Sequence, residues 1–259
     1  MSYVTLTPQS LPTSHICCAI SDKKCAEGYA AKRQWLADQH AHGYRFRRLD
    51  ERGKAFIEYG PAESAWMPVI APGWLTMGCF WVSGQFKGHG HGRALLNDAM
   101  QDARDQGRAG LVSLAGKKKM HFQSDGQWLL KQGFREVDTL HSGFSLLALP
   151  LNESEPAQMP QFAQSTRDGV DADAKGVTVY YSNRCPFTDY HIKVSLQETC
   201  RKRGMPLTVH KLDTLSAAQK APTPATIFSL FLDSHFVTTD ISACMDSRFD
   251  KVVGKAMAA

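Results

Sequence analysis

A chain of 259 residues is long for one compact domain and ample for two, and a hydrophobic fraction of 43% gives each part enough apolar surface for its own core. The formal charge of +5 is a mild excess that suits an anionic ligand such as a nucleotide cofactor, and the absence of a dense basic run with interleaved aromatics speaks against nucleic-acid binding. No apolar run reaches the roughly 18 residues of a membrane span, Met1 to Thr13 lacks a secretion-signal pattern, and seven scattered cysteines, with an adjacent pair at Cys17 and Cys18, point to reduced thiols and a cytoplasmic location.

In chain order, the apolar run at residues 14–20 reads as a buried strand. Ser21 or Asp22 then caps a helix carrying Cys25, Tyr29 and Leu36, which ends at Gly43. Tyr44 to Leu49 and Lys54 to Tyr59 read as strands joined by a hairpin turn at Asp50 to Gly53. Trp74 to Ser83 is a further strand. A glycine-rich loop follows, then a helix over Gly92 to Asp105 whose buried face is Leu95, Leu96, Met100 and Ala103. Gly110 to Ala115 is a strand, Gly126 to Gln132 a helix stopped at Gly133, and Phe134 to Leu140 and Phe144 to Leu149 two more strands. Residues 151–175 are rich in Pro, Gln, Ser, Asp and Ala without periodicity and read as a linker. A second series follows: a strand at Val177 to Ser182, a helix from Pro186 to about Arg203, a strand at Leu207 to Leu212, a hairpin of Ala225 to Leu232 with Phe236 to Thr239, and a last helix near Ile241 to Val253.

The main chemical signal is the stretch from Val82 to Leu96, which contains Lys87-Gly88-His89-Gly90-His91-Gly92-Arg93 between a strand and a helix. Alternating glycines let the backbone turn tightly and approach a ligand. Backbone N–H groups at the following helix N-terminus converge on an anion, and Lys87 and Arg93 add charge, so a pyrophosphate is the natural guest. A Walker loop would need Lys-Ser/Thr after its last glycine, where this chain has Arg93-Ala94, and the rhythm and position do not fit a Rossmann loop. His89 and His91 lack the further ligands of a metal site, and they read as loop side chains turned away while their amides face phosphate. No metal is called for. His15, Cys17 and Cys18 read as packing residues in the first strand.

Lys87, Gly90 and Gly92, followed by Arg93-Ala94-Leu95-Leu96, resemble the Arg/Gln-x-x-Gly-x-Gly/Ala signature of GNAT acetyltransferases. Lysine in the first position keeps the charge and loses the guanidinium fork. The resemblance covers residues 14–150 in element order, including Leu130-Lys131-Gln132-Gly133-Phe134, which is similar to the family's Gly-Phe ending. The runs Phe80 to Gly88 and Tyr181 to Thr188 resemble YoaP-type acetyltransferases, which share the two-part layout. The resemblance implies an α/β (α+β) fold with a mixed, splayed central sheet over residues 1–150, and acetyl-CoA as co-substrate. It implies that the backbone of Phe80, Trp81 and Val82 pairs with the pantetheine arm. The amides of Lys87, Gly88, His89, Gly90, His91, Gly92 and Arg93 would hold the pyrophosphate.

Direct acyl transfer to an amine needs orientation, an oxyanion donor and a base. Glu58 is the candidate base, since strand alternation puts it on one face with Phe56. A solvated strand glutamate is the plain alternative, and Glu63 is a second candidate. The family's usual tyrosine acid falls at Leu129, which leaves Tyr59, Cys79 or a water to serve. Cys79 is equally a small core residue.

The second series, over 176–259, has the β-α-β-β-β-α order of a small thioredoxin or glutaredoxin fold. Cys185 follows its first strand and opens a helix with Pro186 early in it. A helix N-terminus, with Arg184 beside it, lowers a thiol pKa. The resembling families carry Cys-x-x-Cys or Cys-Pro-x-Ser/Thr, and this chain has Cys185-Pro186-Phe187-Thr188, so disulfide cycling within the motif is not expected. Pro224 matches the family's cis-proline, which would set Thr223 against Cys185. Cys200 and Cys244 read as packing residues. The reading is an N-acetyltransferase for a small amine, thiol-containing amines included. The second part reads either as a site for a reactive thiol or as a retained scaffold that docks on the transferase and shapes its acceptor site; the alternative function is a thiol-redox or metal-handling protein in which the GNAT-like part only binds acyl-CoA and Cys185 does the work. A protein acceptor stays open, as do the acceptor's identity and the oligomeric state.

Overall fold

The computed structural model describes residues 2–16, 18–151, 158–170 and 172–254. Strands β1 (Tyr3–Thr5), β2 (Arg45–Leu49), β3 (Ala55–Pro61), β5 (Leu75–Val82), β6 (Gly110–Gly116), β7 (Arg135–Thr139) and β8 (Phe144–Pro150) form one sheet in the order β1-β2-β3-β5-β6-β8-β7. Every pairing in it is antiparallel except β5 with β6, so the sheet is mixed. Alternation along β3 sorts its side chains between two layers. Phe56 turns with Phe46 toward Trp35 and Leu36 of α1 (Ala26–His40), and Ile57 and Tyr59 turn toward Leu95, Leu96 and Ala99 of α2 (His91–Asp105). A third helix, α3 (Gly126–Lys131), buries Leu129 on the α2 side, and the chain turns at Gly133 with φ +96°.

The first apolar run does not form a strand. The described residues of 14–20 are irregular, the Ile16 amide donates to the Tyr29 hydroxyl at 2.7 Å, and the edge strand of the sheet is Tyr3–Thr5. Apolar residues here fill space under α1 without a neighbouring strand to pair with, and Ile16 is fully buried. Cys17 lies outside the described residues. Asp22 does cap the next turn, accepting the Lys24 amide, but a short 3-10 turn at Lys23–Cys25 precedes α1.

The segment read as a structureless connection also differs. Its described part carries β9 (Gln161–Phe162), which pairs with β4 (Val69–Ile70), and a helical turn at Ser165–Asp168. Phe162 enters the core beside Trp74 and Leu146, its amide donates to Asp138 at 2.8 Å, and Arg167 pairs with the same carboxylate. Together with the β4–β9 pairing and bonds such as Trp74 Nε1 to the Gln158 carbonyl, these non-local contacts hold the segment down without a periodic apolar signal.

A second sheet runs β11-β10-β12-β13, with β10 (Val177–Tyr181) parallel to β11 (Leu207–Lys211) and antiparallel to β12 (Phe228–Leu232), and β13 (His235–Thr238) closing the hairpin. A helix over 188–203, with a π turn at His191–Leu196, and the turns at Ile241–Cys244 and Asp246–Val252 cover one face around Leu196, Phe249 and Val253. No described peptide bond is cis, so Pro224 does not adopt the expected isomer.

Candidate active site

Strands β5 and β6 are hydrogen-bonded only from Leu75–Leu111 to Met77–Ser113. Beyond that point β5 continues to Val82 and β6 to Gly116 without pairing, so the sheet opens into a V. The β6-facing edge of β5 there is a row of main-chain groups without a strand neighbour, a place where an extended amide-bearing chain can add itself as a strand. The divergence coincides with a bulge in β5. Ile57 faces Phe80 and Tyr59 faces Met77, so the single Glu58 opposes both Gly78 and Cys79. Such an extra residue bends a strand and re-aims its side chains.

At the outer end of the V lies the glycine loop. Gly88 and Gly90 adopt φ of +81° and +78°, and a Cβ on either would meet only open space. Lys87, Gly88, His89 and Gly90 are all exposed. Gly90 is the N-cap of α2 and offers no side chain to the first-turn N–H groups, which are thereby left for a ligand. His91 is buried, with Nδ1 hydrogen-bonded to the Tyr3 hydroxyl at 2.8 Å. That bond anchors the loop to β1 and takes the imidazole away from solvent. Gly92 faces Trp128 and Phe80, and Arg93 is exposed. Phe80 packs edge-on against Trp128 at 5.4 Å, Trp81 is 48% exposed, and Val82 is half-buried. The expected loop and strand residues therefore converge on one open groove.

At its inner end the V meets a cavity of about 270 Å³ walled by both parts of the chain. Met77 to Trp81, Leu114 and residues 121–124 form one side, and Cys185 to Phe187 with Pro224 to Ile227 the other. Arg184 ties the two together. It is 5% exposed, and its Nη1 donates to the Trp66 carbonyl at 3.2 Å and to Thr226 Oγ1 at 3.1 Å. The Thr226 hydroxyl donates to the same carbonyl. The guanidinium also lies 5.9 Å from the Trp35 ring centre.

Behind the Gly78 wall sits a buried polar group. Lys32 and Glu58, each 1% exposed, form an ion pair at 2.5 Å, and Tyr44 donates its hydroxyl to the other Glu58 oxygen at 3.0 Å. A Cβ on Gly78 would fall 2.2 Å from the Tyr44 hydroxyl oxygen, so the missing side chain is what lets that hydroxyl reach the wall. Burial, with the Glu58 charge behind it, raises the Tyr44 pKa and keeps the phenol protonated. Glu58 is thus neither a solvated strand residue nor a wall residue. It stands one layer behind, with both oxygens engaged.

Three expectations need correction. Cys185 is half-buried and faces the cavity, and desolvation there pushes its pKa up to about 12 despite the Phe187 amide and the Lys32 charge pulling down. The expected lowering fails because the helix begins only at Thr188, three residues on, and Arg184 turns to Trp66 and Thr226. Tyr59 gives its hydroxyl to Asp102 of α2, on the face away from the cavity, so it is not placed to act as an acid there. Glu63 binds the Gly73 amide and Arg108 at the molecular surface. Cys79 and Cys18 do line the cavity, while His15 accepts from the Gly53 amide at 3.4 Å. Sequence reasoning missed Lys32, Tyr44 and Gly78. Lys32 had a signal: it lies three and four residues before Trp35 and Leu36, on the apolar stripe of α1.

Among the described residues no helix is long and apolar enough to cross a membrane. A family model described as YoaP-like matches residues 206–251. A protein of Bacillus subtilis (strain 168) named the uncharacterized N-acetyltransferase YoaP is 37% identical over 254 residues, spanning 98% of this chain and 98% of the relative. Two solved structures are similar at lower levels. The ribosomal-protein-S18-alanine N-acetyltransferase of Escherichia coli has 18% identity and a TM-score of 0.37, covering 61% of this chain and 98% of that one. A GNAT family acetyltransferase of Brucella melitensis in complex with acetyl-CoA has 16% identity and a TM-score of 0.35, covering 62% and 96%. The likeness to the Bacillus protein runs through both sheets and everything between them, and on that ground the chain belongs to the YoaP-like N-acetyltransferases.

Proposed function

We propose that this chain transfers the acetyl group of acetyl-CoA to the amine of a small molecule, and that the acceptor reacts in the chamber between its two parts. The observation that supports this most is the order of features along β5. The strand runs unpaired with β6 from the cavity of about 270 Å³, which Met77 to Trp81 line, to the loop that ends in the uncapped helix N-terminus at Gly90. Diphosphate, pantetheine and thioester have matching chemistry in that order: anion cradle, strand edge, water-excluding chamber. The main-chain amides beside the bulge at Gly78 and Cys79 are the proposed oxyanion donors.

The acceptor nitrogen attacks the thioester carbonyl carbon, and the carbon–sulfur bond breaks to give coenzyme A thiolate, which takes a proton from water. The proton lost by the nitrogen passes to the Tyr44 oxygen as Tyr44 hands its own to Glu58, along the 3.0 Å bond already formed between them. Lys32 neutralises Glu58 and fixes its rotamer. In this reading residues 1–150 are the transferase domain, and 176–259 are a thioredoxin-like domain that supplies one wall of the acceptor site. The half-buried, proton-holding thiol of Cys185 disfavours the alternative in which that cysteine carries a redox activity. The thiol-lined chamber suits a cytoplasmic setting.

The test is a screen of small amines, thiol-bearing ones included, with acetyl-CoA, read by release of free coenzyme A. Turnover with at least one amine is expected, and Tyr44→Phe is expected to lower kcat well beyond any change in acetyl-CoA affinity. Tight acetyl-CoA binding without transfer to any small amine would refute the acceptor class.

A further inference from the structure

The chamber wall is unevenly charged. Lys32, Lys54 and Arg184 line it, and no aspartate or glutamate does. Lys32 is matched by Glu58 from behind. Arg184 has no carboxylate within 4.0 Å among the described residues, although it is 95% buried. A cation taken out of water without a counter-ion is costly, and the usual remedy is a bound anion. The Arg184 hydrogen bonds are lopsided. Nη1 uses its two hydrogens on Trp66 and Thr226, Nε has no partner, and Nη2 lies against Gly78 on the wall, with no acceptor among the described residues. Nε is buried, so Nη2, at the Gly78 wall, is the guanidinium nitrogen placed to donate to an anion in the chamber. Gly78 also adjoins the Tyr44 hydroxyl, so an anion gripped at Nη2 and a nitrogen delivered to Tyr44 are a short molecule apart. Met67, Met77, Leu114 and Ile227 give much of the remaining wall an apolar or sulfur-bearing surface, with His121, Gln123, Ser124 and Thr226 as its uncharged or weakly basic polar groups.

We infer that the acceptor is a small amino acid-like compound, an amine that also carries a carboxylate, with Arg184 as the anchor for that carboxylate. This rests on the acetyl-transfer reading above and narrows its substrate class. The chemistry of transfer is unchanged: the nitrogen gains the acetyl group, coenzyme A leaves, and the carboxylate stays ionised throughout.

The experiment compares matched acceptors at saturating acetyl-CoA: free amino acids such as methionine, cysteine and alanine against their primary amides. The amides keep the size and lose the charge. Their amines are also less basic, which biases the comparison against the proposal. The free acids are expected to have at least tenfold higher kcat/KM, carried by KM. In Arg184→Gln the acid-to-amide ratio is expected to collapse toward one. That ratio does not depend on how much of the variant is folded, and Arg184→Lys is expected to recover part of it. Equal or better use of the amides would overturn the inference and leave the transferase reading intact. An unchanged ratio in Arg184→Gln would overturn the assignment to Arg184. Acetyl-CoA binding with no transfer to any member would overturn the inference together with the small-amine reading. Absence of acetyl-CoA binding would remove the transferase reading itself.

Discussion

Cys185 lies three residues before the helix that starts at Thr188 and holds its proton, because desolvation at the chamber wall outweighs the pull of the Phe187 amide. A thiol raised from 9.0 to about 12 contributes stability that is fully present below pH 9 and is lost as pH climbs from there toward 12, where the unfolded chain ionises and the folded one does not. Alkylation of Cys185 by iodoacetamide, followed by peptide mapping, is expected to stay slow across pH 7–9 in the native protein and to follow an ordinary thiol curve after unfolding. A native profile that rises with an ordinary thiol midpoint would contradict this. The Lys32–Glu58 pair makes a second residue-level prediction. Glu58→Gln leaves a buried ammonium without its counter-ion, at a cost of about 3–5 kcal/mol in urea unfolding. Adding Lys32→Met is expected to restore most of that stability without restoring turnover. Recovery of turnover in the double variant would reduce Glu58 to a structural role.

On the proposed reading, the glycine loop is the element on which cofactor affinity turns. At φ of +78° any residue with a Cβ is strained by about 1–2 kcal/mol, so Gly90→Val is expected to weaken acetyl-CoA binding roughly tenfold or more, while α2 stays folded by circular dichroism. Unaltered affinity would separate the loop from the ligand. This element, α2 behind it and the β2–β3 hairpin were legible in the sequence because their signals are local: glycine spacing, a 3.6-residue stripe, and alternation beside a polar turn. The run at 14–20 misled because Ile16 is buried under α1 as irregular chain, and burial without a partner strand leaves the same apolar signature as a strand. The 158–168 segment was missed because what pins it, Phe162, Arg167, the short β4–β9 pairing and main-chain bonds to Trp74 and Pro68, is non-local and leaves no periodic signal. The Tyr44–Glu58–Lys32 group joins residues 14 and 26 positions apart, and such separations leave no trace in local periodicity.

At the scale of the whole molecule, the two sheets meet at the place where the first one opens. The thiol-bearing loop after β10 and the turn before β12 close the chamber, and the Arg184–Thr226–Trp66 bonds hold them there. What the first sheet lacks as an acceptor site, the second supplies: a lid against water and a guanidinium. The sequence offered both readings of the second part, a reactive thiol at Cys185 and a scaffold that docks on the transferase and shapes its acceptor site, because only the packing of one part on the other reveals which way Cys185 faces. The central claim is that acetyl-CoA lies along the β5–β6 opening with its reactive end in that chamber. Hydrogen–deuterium exchange with and without acetyl-CoA tests it most directly. Protection is expected across residues 78–93 and in the chamber segments at 121–124 and 185–187, with β11 and β13 unchanged. Binding that leaves residues 78–93 exchanging at their free rate would contradict the account.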